Sequence, residues 1–333
     1  MLVTGVDQLT VSDVPEPASD GRAVVAPATM GLCGTDVKIL AGSIPVDTPR
    51  ILGHEIVGRV VRPGPARRVD EGQRVLIDPG IACGHCRLCR ADRPHLCPHG
   101  ALMGRDVDGG FGERVAVDEF QLHPIPDELS TGDASLLQVL GTCVHAQTRV
   151  ADVFPGQTAA VVGLGVSGLL HLQLLRERGV DRIVAVTRSA WKRELAERWG
   201  AIATASPGDA GDVLDEVTGG AGADLVVETA GSASTLARSI ELAAMGATVL
   251  AFGTAPSGPA ELPLYQLYYK ELDVVNARAA RPRDYTRAIQ LATSGRLHLR
   301  DLWSADFPLD DAAAAVAAAR DSSTLKVTMT LPG

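Results

Sequence analysis

Aromatic residues are scarce in this chain. Five Phe, three Trp and four Tyr amount to 4% of 333 residues. A wide aromatic surface for stacking bases or lining a simple-alcohol pocket is therefore not expected. Lysine is rarer still, with four residues (Lys38, Lys192, Lys270 and Lys326) against 27 arginines. That bias speaks of a GC-rich coding source rather than of chemistry. No apolar run approaches the roughly 18 residues of a bilayer-spanning helix, so no membrane partner is expected. The opening Met1-Leu2-Val3-Thr4-Gly5 lacks a basic n-region and an apolar h-region, so the chain is expected in the cytoplasm. The formal net charge of −9 comes without a basic block, which argues against a nucleic-acid partner. Internal repeats are absent.

What is present fits a soluble protein of two domains, since 333 residues exceed one ordinary core. Residues 1–30 read as short β segments broken by Pro15, Pro17 and Pro27, with little room for a hairpin between Val3 and Val11. Ile51 to Val61 is β-branched and glycine-rich, and Gln73 to Ile77 and Arg114 to Val117 read as strands. From about residue 150 strands and helices alternate. Strands are expected at 158–162, 182–186, 224–227, 247–250 and 272–275, with helices at 167–178, 190–199 and 232–244. Buried strands in that alternation mean a parallel sheet covered on both faces. Helices near 284–293 and 310–320 and a strand at 325–330 close the chain.

Three stretches carry chemistry. Gly31-Leu32-Cys33-Gly34-Thr35-Asp36, with Gly53-His54-Glu55, offers a thiolate, an imidazole and a carboxylate to one metal. Zinc accepts that mixture and, in catalytic sites, keeps one position open. Cys83, Cys86, Cys89 and Cys97 follow Cys-x2-Cys-x2-Cys-x7-Cys in a segment (80–100) without apolar periodicity. Reduced cytosolic thiols so spaced can close a tetrahedral structural zinc site. His85, His95 and His99 stand near enough to replace one thiolate, and an iron–sulfur cluster is the other metal the spacing allows. Gly163-Leu164-Gly165-Val166-Ser167-Gly168 fits G-x-G-x-x-G between an expected strand and helix, the context of a dinucleotide site. Where an NAD enzyme has a carboxylate for the ribose, about 20 residues on, this chain has Thr187 and Arg188, with Lys192 and Arg193 following. A guanidinium there binds a 2′-phosphate, so NADP is expected ahead of NAD. Solvated helix-face charges with NAD as cofactor are the competing account.

These residues together resemble the zinc-containing medium-chain dehydrogenases/reductases, near their polyol, threonine and sugar dehydrogenase branches. Asp108-Gly-Gly-Phe111, Lys270-Glu271 and the tail Phe307-Pro308-Leu309 to Leu325-Lys326-Val327 belong to the same resemblance, which spans nearly the whole chain. It implies an α/β protein in which a Rossmann doubly wound parallel sheet (139–278) is inserted in a GroES-like β-barrel catalytic domain (1–138 plus 279–333) with a zinc lobe at 80–100. It implies two zinc ions per chain and a catalytic zinc on Cys33 and His54. Glu55 is then a ligand or a close partner exchanging with water. Gln138 stands where polyol relatives carry a ligating Glu, Thr142 lies by the nicotinamide, Cys143 is a buried small residue and His145 a packed one. A homodimer or homotetramer is implied, through the sheet edge near 272–275.

The implied reaction is hydride transfer between a secondary alcohol or its ketone and the nicotinamide. The metal makes the alcohol acidic and Thr35 begins a proton relay. Relatives often have a His three residues after that hydroxyl; here Lys38 or water ends the relay. The 42–49 loop lacks aromatics, which favours a polyol, sugar or aminocyclitol. A zinc-free enone or quinone reductase and a non-catalytic dinucleotide-binding protein are the competing functions.

Overall fold

The computed structural model describes residues 1–150, 156–255 and 258–331. They fall into two compact units, Met1–Gly141 with Ala279–Gly333, and Thr142–Arg278.

The first unit is built on a seven-stranded sheet. Its strands lie in the order Leu122–Pro124, Arg74–Ile77, Glu55–Arg62, Ala23–Gly31, Lys326–Thr330 and Trp303–Pro308, with Val115–Val117 paired to Ala23–Gly31 off that path. All pairings are antiparallel except Lys326–Thr330 with Trp303–Pro308. The tail strand is thus inserted beside one of the earliest strands. Two expectations are corrected here. Leu2–Gly5 and Gln8–Thr10 do pair as a hairpin, because the turn between them is only two residues long. Pro27 does not break its strand: Ala23–Gly31 runs through it, and the register slips between Pro27 and Thr29. A bulge there tolerates a residue that cannot donate to the ladder. Met30, Leu52, Ile56, Phe111, Val75 and Met329 are among the buried side chains of this core.

The second unit is a six-stranded, wholly parallel sheet. Its order is Ala203–Ala205, Arg182–Val186, Thr158–Val162, Ala223–Glu228, Ala243–Ala251 and Asp273–Asn276. Numbered along the chain, that is 3-2-1-4-5-6, the doubly wound Rossmann order. Thr158–Val162 is buried at every residue, as a central strand covered on both faces must be. The sheet ends at Asp273–Asn276, an edge strand mostly exposed. Beside it in sequence the Leu264–Tyr269 helix presents Leu264, Tyr265, Tyr268 and Tyr269, each more than half exposed. Among the described residues no helix is long and apolar enough to cross a membrane.

Candidate metal centres and dinucleotide site

Sheet register gathers the first cluster. Gly31, the last residue of its strand, pairs with Glu55, the first residue of the neighbouring strand. Cys33 therefore turns into the Gly34–Leu40 helix just where His54 and Glu55 enter the sheet. One ligand atom each from Cys33, His54 and Glu55 lies within 4.8 Å of the others. Glycine is dictated at the approaches. A Cβ on Gly31 would stand 2.8 Å from Glu55 Oε2, and Gly53, at φ +104°, packs where a Cβ would meet the buried Phe111 ring at 2.2 Å. That contact explains Phe111 within Asp108-Gly-Gly-Phe111.

Two buried charges hold the cluster in place. Asp36 accepts the Cys33 N–H at 2.9 Å through Oδ2, while its Oδ1 lies 3.4 Å from His54 Nδ1. One carboxylate thus holds the backbone of Cys33 and lies against the ring of His54, the place that ring partners of metal-bound histidines take. Lys326, brought in by the tail strand, donates to Glu55 Oε2 at 2.5 Å and to the Leu32 carbonyl at 3.1 Å. Burial lowers the affinity of His54 for a proton, but the charges of Asp36 and Cys33 outweigh it and hold its pKa well above the usual value. A pocket that draws a proton onto a buried imidazole against desolvation is one that favours a cation. Soft, borderline and hard donors together match zinc. Thr35 and Lys38 follow on the same short helix, one turn apart and both half-buried.

The second cluster is local. Cys83, Cys86, Cys89 and Cys97 bring their sulfurs within 4.8 Å of one another. Pairs lie at 3.5 Å (Cys86–Cys89), 3.9 Å (Cys86–Cys97) and 4.0 Å (Cys83–Cys89). Four thiolates on a tetrahedral zinc, each at about 2.3 Å, stand about 3.8 Å apart, so the spacing fits that ion. Backbone N–H groups point at sulfur, from Cys83 to Cys97 at 3.4 Å and from Cys89 to Cys86 at 3.5 Å. The backbone N–H of His85 leads the influences that hold the Cys83 thiol down to about 6, whereas burial pushes Cys89 up to about 12. His85, His95 and His99 stand outside the sulfur cluster, and His85 Nδ1 contacts the Cys83 carbonyl at 2.7 Å instead.

In the other unit the glycine loop follows the Thr158–Val162 strand and opens the Val166–Glu177 helix. Gly163 sits at φ +92°, and a Cβ on Gly168 would come within 1.9 Å of the Gly163 carbonyl. No side chain could stand at position 168. Gly165 caps the helix without a side-chain hydrogen bond and has open space at its Cβ, so the first-turn N–H groups face a cradle suited to phosphate. Thr229 braces the loop by donating to the Gly163 carbonyl at 2.7 Å. At the next strand's end, Arg188 is exposed and Thr187 half-buried. Arg193 Nη1 donates to the carbonyls of Thr187 at 2.9 Å and Arg188 at 3.3 Å. Lys192 lies 5.1 Å from the Trp191 ring centroid. Thr142 is half-buried, and Cys143 and His145 are buried in the Leu137–Gln147 helix. Gln138, on the same helix and 7% exposed, donates through Nε2 to Tyr285 Oη at 3.4 Å.

Sequence reasoning passed over Asp36 as an orienting group, and over Lys326, Thr229 and Tyr285. Lys326 did leave a signal. In a chain that uses arginine almost throughout, a lysine kept beside an apolar strand marks a place where a compact ammonium fits and a planar fork does not.

The family description "Alcohol dehydrogenase GroES-like domain" matches residues 19–127 and "Zinc-binding dehydrogenase" matches residues 166–294. A Mycobacterium tuberculosis protein named as a probable zinc-binding alcohol dehydrogenase is 31% identical over 330 residues, covering 97% of this chain and 85% of that one. D-arabitol-phosphate dehydrogenase of Enterococcus avium is 29% identical, with 92% and 89% covered. Among solved structures, a protein of Sinorhizobium meliloti described as a zinc-binding dehydrogenase, bound to NADP, is 34% identical. It superposes with a TM-score of 0.89 over 99% of this chain and 98% of that one. With two clusters of side chains that could hold a metal in one unit, a glycine loop of the dinucleotide-binding pattern in the other, and these likenesses along nearly its full length, the chain belongs to the zinc-containing medium-chain dehydrogenase family, whose chemistry is NAD(P)-linked alcohol oxidoreduction.

Proposed function

We propose that the chain interconverts a polar secondary alcohol (a polyol, sugar or aminocyclitol) and its ketone, using zinc and preferring NADP. The observation that carries this is the Cys33–His54–Glu55 cluster, its His54 and Glu55 buried, with its Asp36 and Lys326 supports. Relatives that act on polyol chemistry, D-arabitol-phosphate dehydrogenase and the D-xylulose reductases, support the substrate class. Catalysis is assigned to the unit Met1–Gly141 with Ala279–Gly333, and cofactor binding to Thr142–Arg278, with Thr142 by the nicotinamide.

Zinc would be held by Cys33, His54 and Gln138, and when bound supplies the Lewis acidity that makes a substrate hydroxyl acidic, while the nicotinamide accepts hydride. The chain's own residues do the rest. Thr35 takes the hydroxyl proton and passes it toward Lys38 or solvent. Asp36 fixes the His54 ring. Lys326 holds the Glu55 charge in its own ion pair, leaving Glu55 a standby ligand. Because Gln138 is neutral, the ligand set keeps a formal charge of +1 that a Glu there would cancel, and a more positive site acidifies the alcohol further. A second zinc would be closed by the four cysteines of the lobe. Arg188 is the 2′-phosphate contact, while Arg193 shapes the loop through the Thr187 and Arg188 carbonyls. Lys192 adds positive charge one turn on.

A homodimer or homotetramer would form over the exposed edge strand Asp273–Asn276 and the tyrosines of Leu264–Tyr269. Free cysteines throughout the described residues suit a cytoplasmic location. The test is the rate of reduced-cofactor formation over a panel of polyols, sugars, aminocyclitols and simple alcohols, with NADP and NAD in parallel. Turnover of a polyhydroxy substrate with NADP preferred is expected. Equal rates with NAD would make the basic residues a solvated face, and turnover of simple alcohols alone would overturn the substrate class.

A further inference from the structure

We propose that Tyr285 is a positioning residue for the catalytic metal: its hydroxyl takes the N–H end of Gln138, so that the amide turns its oxygen toward the ion. The inference rests on Gln138 as a ligand and extends that reading to a residue 147 positions away in the chain.

An amide has two unlike ends. Only Oε1 can ligate a metal, and Nε2 carries two N–H groups that must find acceptors when buried. Gln138 is 7% exposed, so that need falls largely on partners within the protein. In the structure Tyr285 does, with Nε2 donating to Oη at 3.4 Å. Tyr285 is itself fully buried on the Pro282–Thr293 helix. Its ring cannot swing aside. It lies against Gly141, where a Cβ would meet Cδ1 at 2.4 Å, and its centroid is 5.2 Å from that of His123. Gly141 stands three residues after Gln138 on one helix. The glycine thus opens the space that seats the phenol, and the phenol receives the amide one turn away.

Zinc affinity tests the inference by a double-mutant cycle on the full-length holoprotein. Metal is withdrawn by a graded chelator, the lobe zinc serves as internal reference, and the cobalt-substituted spectrum reports the ligand field. Tyr285→Phe keeps the ring against Gly141 and removes only the acceptor. It should weaken the catalytic site about 10- to 100-fold, alter the cobalt bands and leave the lobe unchanged. In a Gln138→Ala background it should add nothing. Gly141→Ala, which displaces the ring while keeping the hydroxyl, should also weaken the site only when Gln138 is present. If Gln138→Ala weakens the site and Tyr285→Phe does not, Tyr285 has no positioning role. If Tyr285→Phe costs as much with Ala at position 138, it acts by packing alone and the proposal is overturned. If Gln138→Ala binds zinc as the natural chain does, the ligand assignment itself falls, which is a separate and distinguishable failure.

Discussion

The two ligand clusters of the first unit are assembled by opposite means. The lobe draws four sulfurs from residues 83–97, all but Cys97 partly exposed, with backbone N–H groups as their nearest support. The other cluster draws Cys33, His54 and Glu55 from separate strand ends and adds Lys326 from the tail, with His54, Glu55 and Lys326 nearly inaccessible. A local, all-thiolate site closes around its ion and needs no core beneath it. A non-local, mixed site inherits its geometry from sheet register and must neutralise buried charge. With zinc bound as proposed, the first would stabilise and the second would leave a coordination position for chemistry.

Function should separate the two most sharply. Cys33→Ala is expected to lower kcat/KM about 10³-fold or more while leaving the melting temperature near that of the natural chain. Cys89→Ala should instead release the lobe zinc and expose residues 80–100 to proteolysis. Equal thermal losses in both variants would erase the distinction. Next in size is Lys326→Met, which strands Glu55 as a buried unpaired charge. A loss of about 3–5 kcal/mol is expected in denaturant unfolding, and no loss would mean that Glu55 is satisfied elsewhere.

A smaller effect lies outside both clusters. Burial drives the His171 pKa down to about 3, with Nδ1 2.9 Å from Gln147 Nε2 and the ring edge-on to Phe252. A depressed pKa means that stability is fully present above about 6.5 and is lost as the pH falls toward 3, by about 1.4 kcal/mol per pH unit. His171→Phe should flatten acid unfolding between pH 6 and 4. An unchanged slope would mean that His171 does not set the acid sensitivity. The smallest expected effect is Gln138→Glu, which should raise the apparent pKa of the pH–rate profile by about one unit. No shift with metal intact would remove Gln138 from the ligand set.

Much of this contrast was legible in the sequence, and the reason is physical. The lobe announces itself because its ligands are neighbours in the chain and nothing else orders that segment. The Arg182–Val186 strand was read with its bounds intact, because a buried parallel strand is a plain β-branched and alanine run. The glycine loop was equally plain, since close approach at Gly168 admits one residue type. Pro27 misled because a local rule of strand breaking was overridden by a bulge. Lys326, Tyr285 and the Asp36 bridge stayed hidden because each acts on a partner far away in sequence or through a side-chain geometry that spacing does not encode.

The Lys326–Glu55 pair spans 271 residues of chain. At the roughly 5–20 residues per second of protein synthesis, Glu55 leaves the ribosome a quarter of a minute to a minute before its counter-ion. Through that interval the Ala23–Gly31 strand lacks the tail strand that covers one of its edges. Such an uncovered, apolar edge is the surface at which nascent chains pair wrongly. A chain shortened ahead of Lys326 should therefore be recovered as aggregate rather than as a folded apoprotein.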